Sequence, residues 1–111
     1  MTILKVQHFM RRNSRDQAKK NISAHYDLGN KLYAKFLDQS MMYSSAIYPT
    51  PQATLAEAQE NKLRSICDKL KLTPKDHLIE IGTGWGGLAI YAAKNYGCHV
   101  TTTTISDEQY A

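Results

Sequence analysis

The chain has 111 residues, 42% hydrophobic and 22% charged, which is the make-up of one small globular domain and not of a disordered segment. No apolar run approaches the ~20 residues that span a bilayer, and the start, Met1-Thr2-Ile3-Leu4-Lys5, lacks the apolar core of a secretory signal, so a cytoplasmic location is expected. Cys67 and Cys98 show no CxxC spacing, and His8, His25, His77 and His99 show no ligand spacing, which rules out a disulfide scaffold and argues against a metal site.

The net charge of +4 is unevenly spread. Residues 1–35 hold eight Lys or Arg against two acids, whereas residues 36–111 hold six against eight. The N-terminal surplus would attract a polyanion, either nucleic acid or an anionic membrane surface, or it forms a solvated face or basic arm. Charge alone does not separate these readings. No aromatic residues are interleaved through 11–20 to stack on bases, which disfavours nucleic acid.

In chain order, residues 1–22 read as a basic arm or weak helix. Leu28, Leu32, Tyr33, Phe36 and Leu37 fall at helical spacing within 24–37, interrupted by Gly29-Asn30. Residues 39–53, with Pro49 and Pro51, read as a loop containing a short extended piece. Thr54-Leu55-Ala56-Glu57 fits a capping box, and Leu55, Ala58, Leu63, Ile66, Cys67 and Leu70 form the buried stripe of the helix it starts, in a region closed by Pro74. His77 to Ile81 is a short strand, Leu88 to Tyr96 a helix stopped by Gly97, and the β-branched run from Cys98 to Ile105 a second strand. Strand, glycine turn, helix and strand over 77–105 make a βαβ unit of about 30 residues with parallel strands.

The turn between the first strand and its helix reads Glu80-Ile81-Gly82-Thr83-Gly84-Trp85-Gly86-Gly87. Such a turn lies at the carboxyl end of the sheet, where α/β folds bind ligands. Glycines there allow a sharp bend and a close ligand approach, and the following helix turns its free N–H groups toward the site. Gly82, Gly84 and Gly87 satisfy GxGxxG, the dinucleotide fingerprint. A dinucleotide also needs an acid at the end of the next strand, where this chain has Thr102, Thr103 and Thr104 and reaches its first acid only at Asp107. The alternative is an E/D-x-G-x-G-x-G turn with Glu80 as its acid. A carboxylate there suits a ligand with a cationic sulfonium and an α-amino group, as in S-adenosylmethionine, better than it suits a pyrophosphate.

Four blocks in order are similar to the cyclopropane-fatty-acyl-phospholipid synthase and mycolic acid cyclopropane synthase family of S-adenosylmethionine-dependent methyltransferases. They are Asn21 to Asn30; Met42-Tyr43-Ser44-Ser45-Ala46-Ile47-Tyr48; Leu55-Ala56-Glu57-Ala58-Gln59 with Lys62; and Ile79 to Gly86 continuing into Thr104 to Gln109. The resemblance covers roughly residues 21–111. It implies an α/β fold: the N-terminal part of a Rossmann-like class I methyltransferase, with a helical N-terminal segment followed by the first βαβ unit. The expected division is a basic arm at 1–22, a helical lid or cap at 23–76, and the beginning of the cofactor domain at 77–111. The resemblance further implies cofactor contacts from Tyr43 and Ser44; from Leu78, Ile79, Glu80, Ile81, Gly82, Thr83, Gly84, Trp85 and Gly86 around the methionine and ribose; and from Thr104, Ile105, Ser106, Asp107, Glu108 and Gln109 on the adenosine side. No metal is implied.

The implied reaction is transfer of a methylene group to the cis double bond of a phospholipid acyl chain at an anionic membrane surface, with a bicarbonate ion as base. Family members usually place a cysteine where this chain has Ser45, which is therefore a candidate bicarbonate contact. The family's other bicarbonate-holding residues would lie beyond Ala111, so the expectation is an N-terminal piece that is inactive by itself. Two other readings remain open: a dinucleotide-binding oxidoreductase domain, and a non-catalytic basic module that binds membranes. The oligomeric state is not legible.

Overall fold

The computed structural model describes residues 15–18, 20 and 30–110. The arm at 1–22 and the first matching block at 21–30 lie outside these residues, apart from 15–18 and 20, which are helical, and Asn30. Helix α1, Asn30–Tyr33, ends four residues before Leu37, where its apolar spacing predicts the end. Beyond it, the Lys35 and Phe36 N–H groups donate to carbonyls three residues back, on Leu32 at 3.1 Å and Tyr33 at 3.3 Å. The chain tightens into turns, and Leu32 and Phe36 stay exposed.

Thr54 caps helix α2, Leu55–Leu70, with the full capping box: its hydroxyl accepts from the Glu57 N–H, and the Glu57 carboxylate accepts from the Thr54 N–H at 2.7 Å. Ala58, Leu63 and Cys67 of the expected stripe are buried. Leu70 is not, being 54% exposed. The helix stops at once because Lys71 takes a left-handed conformation (φ 52°), its N–H donating to Asp68 and Cys67 carbonyls. Pro74 stands three residues beyond the actual stop.

Two strands, β1 His77–Ile81 and β2 His99–Thr103, run parallel in the register His77↔His99 through Ile81↔Thr103. Helix α3, Gly87–Tyr96, crosses between them and ends at Gly97, whose φ of 67° only glycine adopts freely. A four-residue helix α4, Asp107–Tyr110, follows β2. The second strand is two residues shorter at its far end than predicted, because the Thr103 carbonyl turns to accept from both the Gly82 and Thr83 N–H groups.

Cys67, Ala92 and Cys98 form the centre of the core, with Leu72, Leu78, Leu88, Tyr91, Tyr96 and Val100 packed around them. Helices α2 and α3 thus cover one face of the sheet. The other face of β1 carries Ile79 and Ile81, the latter 90% exposed. Parallel sheets are normally covered on both faces. No helix among the described residues is long and apolar enough to cross a membrane.

Candidate cofactor-binding site

The site begins with a loop held in place by a helix. Residues 39–53 form no strand among the described residues, because side chains of α2 take the loop's carbonyls. The Gln59 amide nitrogen donates to Met42 O (3.1 Å) and Ser44 O (3.0 Å), and Asn61 donates to Ile47 O at 2.9 Å. The Lys62 ammonium donates to Ser44 Oγ at 2.8 Å. Gln59 and Lys62 are both buried, an unusual fate for such residues. Their burial fixes Tyr43 and Ser44 against the glycine turn.

The turn itself bends through Gly82, Gly84 and Gly86, with φ of 88°, 57° and 86°. A Cβ at Gly82 or Gly84 would meet nothing within 4 Å among the described residues beyond its own chain neighbours. That space divides into two adjoining cavities, both bordered by Tyr43, Gly82 and Gly84. One, of about 330 Å³, is mainly apolar and extends along the end of β2 to Thr104, Ile105, Ser106 and Gln109. The other, of about 260 Å³, runs under the loop to Ser44, Lys62, Glu80 and Trp85. A third hollow beside them reaches Gly86, Thr102 and Tyr110. A hollow of about 480 Å³ over the start of α2, between Pro49 and Arg64, lies away from the strand ends and from every candidate residue.

Thr104, Ser106 and Gln109 are joined to one another. The Ser106 N–H donates to Thr104 Oγ1 at 3.1 Å, Thr104 donates to Gln109 Oε1 at 3.2 Å, and the Gln109 N–H donates to Ser106 Oγ at 3.4 Å. Glu80 borders the cavity under the loop while its Oε1 accepts the Thr102 hydroxyl at 2.6 Å. Ile81 borders the first cavity and Thr83 the second, and the other candidates lie elsewhere. Leu78 packs into the core, Ile79 sits on the open sheet face, and Asp107 is exposed at the start of α4. The side chain of Glu108 lies outside the described residues. Ser45 is exposed, donates to Ala46 O at 3.3 Å and borders neither cavity. Lys62 and Met42 border the cavity under the loop although neither was marked as a site residue; each stood only in a matching block.

A family description, mycolic acid cyclopropane synthetase, matches residues 13–111. The chain belongs to this family. It is 47% identical over 104 residues to tuberculostearic acid methyltransferase UfaA1 of Mycobacterium tuberculosis, covering 87% of this chain and 24% of that protein. It is 49% identical over 85 residues to the cyclopropane-fatty-acyl-phospholipid synthase of Escherichia coli K12, covering 77% of this chain and 22% of that one. The solved structure of mycolic acid cyclopropane synthase CmaA1, complexed with SAH and CTAB, superposes with a TM-score of 0.78 at 36% identity, over 82% of this chain and 32% of that one. The fold is therefore that of the Rossmann-like S-adenosylmethionine-dependent methyltransferases. The chain spans about a quarter or less of the length of these curated relatives.

Proposed function

We propose that this protein is an S-adenosylmethionine-dependent methyl(ene) transferase acting on the cis double bond of phospholipid acyl chains. The observation that carries the reading is the convergence of Tyr43 and Ser44, from one loop, with Gly82 and Gly84 on a pair of joined cavities. The residues fit the cofactor: two glycines leave room for close approach, one cavity ends in the Thr104–Gln109 cluster, and the other brings the Lys62 and Glu80 side chains to its wall. On this reading the adenosine lies against Ile105, Ser106 and Gln109, and the amino-acid end lies under Ser44. Bound there, S-adenosylmethionine supplies an electrophilic methyl group. The chain's own part is to orient that group and keep water from it, since an alkene is a poor nucleophile that needs close positioning in a dry site.

Bicarbonate has no comparable fit among the described residues, because Ser45 is exposed and turned to Ala46. The base that removes the proton is assigned to no residue of this chain. Residues 77–111 serve as the first βαβ of the cofactor domain, 23–76 as its lid and 1–22 as a basic arm toward an anionic membrane face, the protein working peripherally from the cytoplasm. A dinucleotide is disfavoured by Thr102, which gives its hydroxyl to Glu80 where that ligand needs an acid.

Calorimetric titration with S-adenosylhomocysteine, with NADH as control, tests the cofactor. Binding of the first alone is expected. Incubation of S-adenosylmethionine, labelled at its methyl group, with unsaturated phospholipid vesicles and a protein that carries this chain at the full length of its relatives tests the substrate: label should enter the acyl chains, and label in no lipid overturns the assignment.

A further inference from the structure

Lys62 is 8% exposed. Its ammonium donates to Ser44 Oγ at 2.8 Å and to Ser44 O at 3.4 Å, so it is held by neutral oxygens. No carboxylate is bonded to it among the described residues. Asp38 favours its charge from a distance but is itself occupied, accepting from the Ser40 hydroxyl at 2.7 Å and the Ser40 N–H at 3.2 Å. Burial pushes the Lys62 pKa down. A buried cation held only by neutral groups is costly, and an anion brought beside it relieves that cost.

The cavity beside Lys62 says which anion fits. An ammonium has three N–H donors, and two are spent on Ser44. Because Ser44 Oγ accepts from Lys62, the serine's own O–H is available to donate elsewhere. Two donors thus stand at one wall of the 260 Å³ cavity, and Glu80 borders the same space. The two charges are not bonded to each other: one is held by Ser44 and the other by Thr102. A cavity with a cation and a carboxylate on separate walls matches a zwitterion. We propose that Lys62 is the counter-charge for the carboxylate of the cofactor's amino-acid end, acting with the Ser44 hydroxyl while the α-amino group faces Glu80. The inference rests on the S-adenosylmethionine reading and adds a residue and an orientation to it.

The test compares S-adenosylhomocysteine with its decarboxylated analogue, which keeps the amine and the adenosine, by calorimetric titration of the protein and of Lys62→Met and Lys62→Arg. The unaltered protein should prefer the carboxylate-bearing ligand by about tenfold to a hundredfold, the worth of a charge-assisted hydrogen bond. Lys62→Met should lose that preference while still binding the analogue, and Lys62→Arg should keep part of it. Equal affinity of the unaltered protein for both ligands overturns the role of Lys62 and leaves the cofactor reading standing. So does a Lys62→Met variant that weakens both ligands by the same factor, which marks Lys62 as a strut for the loop. Binding of neither ligand by the unaltered protein overturns the cofactor reading and this inference together.

Discussion

Glu80 and Thr102 stand opposite each other in the parallel ladder, and the Thr102 hydroxyl donates to the Glu80 carboxylate at 2.6 Å. The position where a dinucleotide site needs an acid is thus a donor to the turn's own acid. Thr102→Asp would set two carboxylates across one rung. It is expected to lower stability by about 1 kcal/mol, from cross-strand repulsion and the lost hydrogen bond. Thermal unfolding checks this, and an unchanged midpoint would show that the contact contributes nothing.

Gly84 and Gly97 have similar positive φ, 57° and 67°, but only Gly84 borders the cavities. Gly84→Val and Gly97→Ala should each cost about 1–2 kcal/mol of left-handed strain. Only the Gly84 variant should lose S-adenosylhomocysteine affinity, because its side chain enters the ligand's space. Parallel melting and titration of the two variants separate strain from occlusion. Equal loss of affinity in both would mean that the turn is sensitive to stability and not to bulk.

The Tyr96 hydroxyl donates to Asp68 Oδ1 at 2.7 Å and ties α3 to α2. That hydrogen bond, with lesser help from desolvation, pushes the Tyr96 pKa up to about 12. A tyrosine with a raised folded pKa favours the fold in its neutral form. The contribution is complete below the unfolded value near 10 and is lost as pH rises through about 12. Melting between pH 9 and 12 should show a decline that Tyr96→Phe lacks.

What the sequence made legible was local. The Thr54–Glu57 box is a contact across three residues, and the β–glycine–α–β pattern announces itself by residue type. The stop at Lys71 was not legible, since a lysine in the left-handed region is chosen by the carbonyls of Cys67 and Asp68 and not by its own preference. Nor was the burial of Gln59 and Lys62, because the oxygens that make it tolerable belong to Met42 and Ser44, on a loop some 15 to 18 residues back.

The capping box itself is testable. Thr54→Ala should cost about 1 kcal/mol. The Thr54 N–H, followed by its hydroxyl, holds the Glu57 carboxyl below its usual 4.5. A depressed acid stabilises the fold above its unfolded pKa, and that gain fades as pH falls through the lowered folded value. Melting from pH 6 to pH 2 should therefore show a smaller acid loss in Glu57→Gln than in the unaltered chain.

The basic surplus at the N-terminus predicts salt-sensitive binding to anionic vesicles, at about 1 kcal/mol per Lys or Arg near the surface. Replacing Arg11, Arg12, Arg15, Lys19 and Lys20 with Gln should reduce co-sedimentation with vesicles and leave S-adenosylhomocysteine affinity unchanged. Undiminished sedimentation at low salt would mean that these charges only face solvent.

Both thiols of the chain, Cys67 late in α2 and Cys98 just before β2, are buried in the same cluster with Ala92. Burial also pushes the Cys67 pKa up, so little of the reactive thiolate is present at neutral pH. Alkylating reagents therefore reach either sulfur only when the helix layer parts from the sheet, and their mass shift becomes a clock for that opening. Two labels gained together would mean that α2 lifts away as one body. A single early label at Cys67 would mean that the last turn of α2, held by the left-handed Lys71, unwinds first.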